Sequence, residues 1–130
     1  VTRSRRRLVA ASALVVVVLG GLIVHTRLPD SAATDIAGDA LYAAATYAGV
    51  VVLLARLRPD AVAGIAAVWC VGVELFQLTG LPLRWAESFP PAVLLLGTVF
   101  DARDLLVYVL AIAVAGGADA VLQRGAAGPE

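Results

Sequence analysis

Residues 8–24, LVAASALVVVVLGGLIV, run for seventeen positions without a charge and follow directly on Arg3, Arg5, Arg6 and Arg7. A helical membrane crossing needs about 20 apolar residues, within a range of about 17–25, so this stretch reads as a helix that spans a bilayer. A basic start before an apolar run also describes a cleaved signal peptide. The apolar region there is only about 7–15 residues long, and the chain beyond residue 24 stays just as apolar. The stretch is therefore expected to be retained as a first helix over about 8–25.

The rest of the composition agrees with lipid as solvent. Of 130 residues, 61% are hydrophobic and 15% charged, with a mean hydropathy of +0.91. Soluble domains carry about 25% charged residues. At roughly 20 residues per crossing the chain holds four crossings and short loops, one transmembrane domain over 1–130 with no separate soluble unit. All ten basic residues are Arg, and Lys and Asn are absent, a usage that points to a GC-rich bacterial genome. In that setting Val1 reads as a GTG start, although a trimmed chain would look the same. Net charge is zero, which gives no bulk attraction to nucleic acid. The single Cys70 and the single His25 leave no internal disulfide and no Cys-based or multi-His metal site. No metal and no cofactor are expected, and Cys70, inside an apolar run, reads as a small packing residue.

Beyond the first helix, residues 25–38 contain Pro29, Asp30, Ser31 and Asp35 and read as a loop. A second helix is expected over 39–56, stopped by Arg56, Arg58, Pro59 and Asp60. A third, over 61–79, carries Glu74 and Gln77 near its end. Residues 83–91, with Arg84, Trp85, Glu87 and Pro90-Pro91, read as a loop. The apolar segment 92–100 would cover only about 14 Å as a helix, against a hydrocarbon core of about 30 Å. It is either a re-entrant piece or the start of a long fourth helix broken near Asp101, Arg103 and Asp104; the return crossing is 104–122, closed by Gln123, Arg124 and a Gly-rich tail. The fold class is all-α and polytopic, with four transmembrane helices. Basic residues stay on the cytoplasmic side. With both termini inside, seven Arg lie in the cytoplasm (3, 5, 6, 7, 56, 58 and 124) and three outside (27, 84 and 103).

Helical spacing sorts the polar residues. Asp39, Tyr42 and Thr46 share a face, as do Cys70, Glu74 and Gln77, and Asp101, Asp104 and Tyr108. In the topology above all three stripes gather in the outer leaflet, where an ionisable group needs protein, water or a partner. Arg84 is the cation expected for Glu74 or Asp104, although its forked guanidinium also suits a lipid phosphate. Glu74 with Gln77 has three readings: interhelical hydrogen bonds, ligand contact, or acid–base catalysis. Asp39 reads either as a cluster member or as a helix N-terminal residue favoured by the macrodipole. Tyr42, Trp69, Trp85 and Tyr108 are anchoring or packing aromatics. The pairs Ala45 and Gly49, Ala63 and Ala67, and Ala111 and Ala115 have the small-x-x-x-small spacing of close helix contacts. The same spacing serves self-association, so a homo-oligomer stays open.

The sequence Gly38-Asp39-Ala40-Leu41-Tyr42-Ala43, then Glu74-Leu75-Phe76-Gln77-Leu78, Arg84, Leu96-Gly97, Phe100, Asp104-Leu105 and Tyr108 resembles the bacterial domain-of-unknown-function 2809 membrane family. The order Glu-x-x-Gln, Arg, Asp is also similar to VanZ-like proteins, but Tyr108 stands where those carry Asn. The Pro-rich stretch 88–91 departs from the pattern. The first resemblance implies no reaction. The second implies a link to glycopeptide tolerance, an analogy of fold more than of site. Two functions compete. One is a non-enzymatic membrane protein of the cell envelope whose outer polar cluster packs the bundle and engages membrane lipid or a lipid-linked envelope molecule. The other is a membrane enzyme that uses Glu74 or Asp104 on a lipid headgroup, with Arg84 on its phosphate. A proton-coupled carrier is the weakest class, because a one-sided polar cluster gives no through-path.

Overall fold

The computed structural model describes residues 1–125; the Gly-rich tail over 126–130 lies outside them. Six helices follow in order: α1 Arg3–Arg27, α2 Ala32–Leu53, α3 Pro59–Gln77, α4 Leu81–Ser88, α5 Ala92–Leu96 and α6 Ala102–Arg124. Helices α1, α2, α3 and α6 are long and apolar enough to cross a membrane. The protein is an all-helical polytopic membrane protein.

The helix starts are set by caps. Thr2 accepts the Arg5 N–H at the head of α1. Ser31 and Thr34 form a reciprocal box at the head of α2: Ser31 Oγ accepts the Thr34 N–H, and Thr34 Oγ1 accepts the Ser31 N–H. That box corrects the expected loop over 25–38, which shrinks to residues 28–31, because Ser-x-x-Thr satisfies orphan donors as a Ser-x-x-Glu box does. It also removes the macrodipole reading of Asp39. That effect fades within the first turn, and Asp39 lies seven residues beyond Ala32. Pro59 opens α3, where its missing N–H costs nothing.

Residues 81–88, most of which were expected to be loop, are helical as α4 for the same reason. Pro82 sits in the first turn, and no breaker follows until Pro90-Pro91. Gly80, at φ 73°, turns the chain between α3 and α4, and the Phe76 and Trp85 rings meet at 5.5 Å. Helix α2 ends at Leu53, three residues before the expected 56, and Leu54 closes it through its N–H to Val50 O.

The core lies between α2, α3 and α6. Ala43, Tyr47 and Val51 of α2 meet Val62, Ala66 and Cys70 of α3 and Tyr108 and Ile112 of α6. The four-residue steps place each set on one stripe, and the small residues let the backbones approach where lipid supplies no hydrophobic drive. Cys70 is a fully buried packing residue. Ala63, Ala67, Ala111 and Ala115 pack against this core as their spacing suggests. Ala45 and Gly49 do not; they line a cleft, and a Cβ on Gly49 would meet nothing within 4 Å.

Helix α1 packs mainly along α2, with only Arg6 and Ala10 buried. Arg6 fixes it. Its Nε and Nη2 donate to Asp119 Oδ1 and Oδ2 at 3.0 and 2.5 Å, and its Nη1 donates to Ala55 O and Leu57 O at 2.7 and 2.6 Å. Arg7 Nε donates to Val52 O. Carbonyls at and just beyond the end of α2 lack helical partners, and two arginines of α1 supply them. Asp119 also accepts from Tyr47 OH at 2.7 Å and Gln123 Nε2 at 3.2 Å. These bonds put the start of α1, the end of α2 and the end of α6 at one end of the bundle, here the α2–α3 end.

Candidate functional site

The other end, the α1–α2 end, gathers the three polar stripes. Glu74, fully buried near the end of α3, takes the Tyr108 hydroxyl on Oε1 and the Asp101 backbone N–H on Oε2, both at 3.2 Å. Asp101 is the N-cap of α6 and accepts the Arg103 N–H at 2.9 Å, so Glu74 and Asp101 together serve the free donors at the head of that helix. Asp39 of α2 and Asp104 of α6 come within hydrogen-bonding reach of each other through their carboxyls. The Tyr42 and Tyr108 rings lie 6.0 Å apart beside them.

Segment 92–100 is held by two of these side chains. Tyr42 OH donates to Leu95 O at 2.6 Å, and Gln77 Nε2 donates to Leu96 O at 2.8 Å. Trp69 Nε1 in turn donates to Tyr42 OH at 2.9 Å. Both carbonyls belong to the last turn of α5, where the helix breaks at Gly97, φ 61° and ψ −155°. Broken backbone at membrane depth persists only where protein satisfies it. Tyr42 is the eleventh residue of α2, about 15 Å along it at 1.5 Å per residue. The tip of α5 reaches that level, and the chain returns to the α1–α2 end to start α6.

Arg84 does not join the cluster. It is exposed on α4, and no ion pair or side-chain hydrogen bond holds it among the described residues. The expected pairing fails because 81–88 is a helix packed by Trp85 on Phe76, not a loop free to fold over α6. The cation near the carboxyl groups is Arg103, which reaches Asp101 at 3.6 Å and Asp35 at 3.8 Å. These pairs are exposed and contribute about 0–1 kcal/mol each. Asp39, Tyr42, Glu74, Gln77, Asp104 and Tyr108 do come together.

All of these but Glu74 line one side of a cleft of about 1010 Å³ between α1, α2 and α5. Its walls are apolar, with Val17 and Leu22 of α1, Val50 and Leu53 of α2, and Leu94 of α5. Gln77 also lines it and is only 7% exposed; its Oε1 is a buried side-chain atom with no hydrogen-bond partner among the described residues. Leaving such an acceptor unmade costs about 1–3 kcal/mol.

Sequence reasoning missed Arg103 as the local cation, the α5 carbonyls as the targets of Tyr42 and Gln77, and the Arg6–Asp119 pair altogether. For the last, the signal was present. An aspartate within an apolar crossing demands a partner, and Asp119 lies inside the run 104–122.

Four apolar helices around a small-residue core, with a broken helix closing a polar cleft at one end, define a polytopic all-α membrane protein. A family model described as Protein of unknown function (DUF2809) matches residues 28–112, and the chain belongs to that family. The matched span runs from the α1–α2 turn into α6; it holds every residue of the cleft cluster and neither Arg6 nor Asp119. No curated protein and no solved structure matches the chain.

Proposed function

We propose that this chain is a bacterial envelope protein of the cytoplasmic membrane, with both termini in the cytoplasm, that holds an amphiphilic or lipid-linked molecule in its cleft without catalysing a reaction. The observation that carries this reading is the cleft's division. Its lining combines apolar walls with carboxyl groups and an amide oxygen that has no partner among the described residues, as an amphiphile divides into tail and head. Its volume of about 1010 Å³ suits a ligand at or above the usual range of about 300–1,000 Å³ for small-molecule sites. The orientation rests on the seven arginines at the α2–α3 end against three at the other.

Binding is favoured over catalysis by the state of Glu74. Both its oxygens are occupied and the residue is enclosed, whereas a general acid or base must reach the proton it moves. A phosphate-directed enzyme built on Arg84 also loses that cation, since Arg84 stands outside the cleft, and Arg103 on the lining is turned to Asp35 and Asp101.

The test is lipid extraction and native mass spectrometry of protein purified in mild detergent, wild type beside Gly49→Leu, which fills the cleft. A retained amphiphile in the wild type, reduced several-fold in the variant at unchanged unfolding temperature, is the expected result. Equal retention by both proteins overturns the reading. Reporter fusions after residues 30 and 57 should report outside and inside, respectively.

A further inference from the structure

We propose that the polar end of the cleft selects amphiphiles with a primary ammonium head and rejects anionic and quaternary ammonium heads. This rests on the reading of the cleft as an amphiphile site and names the head that the site takes.

The argument is an inventory of donors and acceptors. The donors around the polar end are spent inside the protein: Trp69 Nε1 on Tyr42, Tyr42 OH on Leu95 O, Tyr108 OH on Glu74 and Gln77 Nε2 on Leu96 O. Arg103, the one arginine on the lining, turns to Asp35 and Asp101 at the rim. Thr98 and His25 on the lining can each give or take a hydrogen bond. What is left over is acceptors. The Asp39 and Asp104 carboxyls lie on the lining with no ion pair to Arg103, and Gln77 Oε1, on a residue 93% buried, has no hydrogen-bond partner among the described residues.

A primary ammonium carries one positive charge and three N–H donors, which matches two carboxyls and one amide oxygen. A cation beside a pair of carboxyls favours their charged form. A phosphate brings negative charge to carboxyl groups and asks for donors already engaged. A quaternary ammonium brings the charge but no N–H, so it leaves Gln77 Oε1 unmade. The apolar walls take the tail in every case, so the head decides.

Isothermal titration of the purified protein in a non-ionic detergent tests this with octylamine, octyltrimethylammonium, octyl phosphate and octanol, and with ethylamine as the head without a tail. Octylamine should bind at least tenfold tighter than each of the others. Gly49→Leu should abolish its binding, and Gln77→Leu should reduce the preference over octyltrimethylammonium several-fold. The double variant Asp39→Asn with Asp104→Asn should erase the preference over octanol; should it fail to fold, Gln77→Leu and the wild-type ratios carry the test. Equal binding of octanol and octylamine, both blocked by Gly49→Leu, overturns the head-group inference and leaves the amphiphile reading standing. Binding of ethylamine as tight as octylamine, or binding of any probe untouched by Gly49→Leu, overturns the amphiphile reading and the inference with it.

Discussion

The two ends of the bundle each bury a polar network, and the networks differ in what they leave undone. At the α2–α3 end, Arg6 and Asp119 pair through two bonds, Asp119 takes two further donors, and Arg6 supplies two carbonyls beyond the end of α2. Charge balances there and the named groups are matched. At the α1–α2 end, two carboxyls share the lining of a cleft, and Gln77 Oε1 has no partner among the described residues. A satisfied buried network rigidifies a fold, whereas a partly satisfied one is costly and is retained where something else completes it. The first network is a clamp on α1; the second is the end that the proposed ligand would complete.

Changes at each end can break or sharpen that contrast. The largest effect is expected at the clamp: Asp119→Ala should cost about 3–5 kcal/mol, the usual result of removing one partner of a buried pair. The double variant Arg6→Leu with Asp119→Leu should recover part of that loss. Thermal unfolding in detergent measures both, and an Asp119→Ala protein as stable as wild type would end the description of this network as a clamp.

Next comes Gly97→Ala. The backbone there lies in a region open essentially to glycine, at a cost of about 1–3 kcal/mol for other residues, and a Cβ would stand 2.5 Å from Gln77 Nε2. The loss should appear as faster hydrogen exchange confined to 92–100. Tyr42→Phe removes the donor to Leu95 O and the acceptor of Trp69, and should cost about 1 kcal/mol with the same local exchange pattern. Exchange that spreads to α6 in either variant would show that the segment is part of the core and not an attached flap.

Gln77→Met separates the two ends most sharply. It loses the bond to Leu96 O but removes a buried unmade acceptor, so stability should stay within about 1 kcal/mol of wild type while retention of the bound amphiphile falls. A large loss of stability instead would make Gln77 a clamp residue. The smallest effect is expected for Arg84→Ala, within about 0.5 kcal/mol of wild type and indistinguishable from Arg27→Ala by the same unfolding assay.

Fold class, the four long apolar helices and the helix faces of the polar residues, though not the place of Arg84, were legible in residue order. Uninterrupted apolar runs, an Arg-rich start, and polar residues three and four apart are local quantities, and lipid as solvent makes them decisive because a charge at membrane depth must be accommodated. Asp39, Tyr42, Glu74, Gln77, Asp104 and Tyr108 share helix faces whatever the helices pack against. Partner choice was decided only in three dimensions. Arg84 lies nearer in sequence to Glu74 than Arg103 does, yet α4 carries it away. Arg6 and Asp119 are separated by 113 positions and meet because the start of α1 and the end of α6 lie side by side. The fate of Leu95 O and Leu96 O likewise follows from where α5 breaks, and a backbone carbonyl has no sequence signature. Spacing along a helix is set by its own geometry, whereas which donor meets which acceptor depends on how separate helices pack, and only the tertiary structure carries that information.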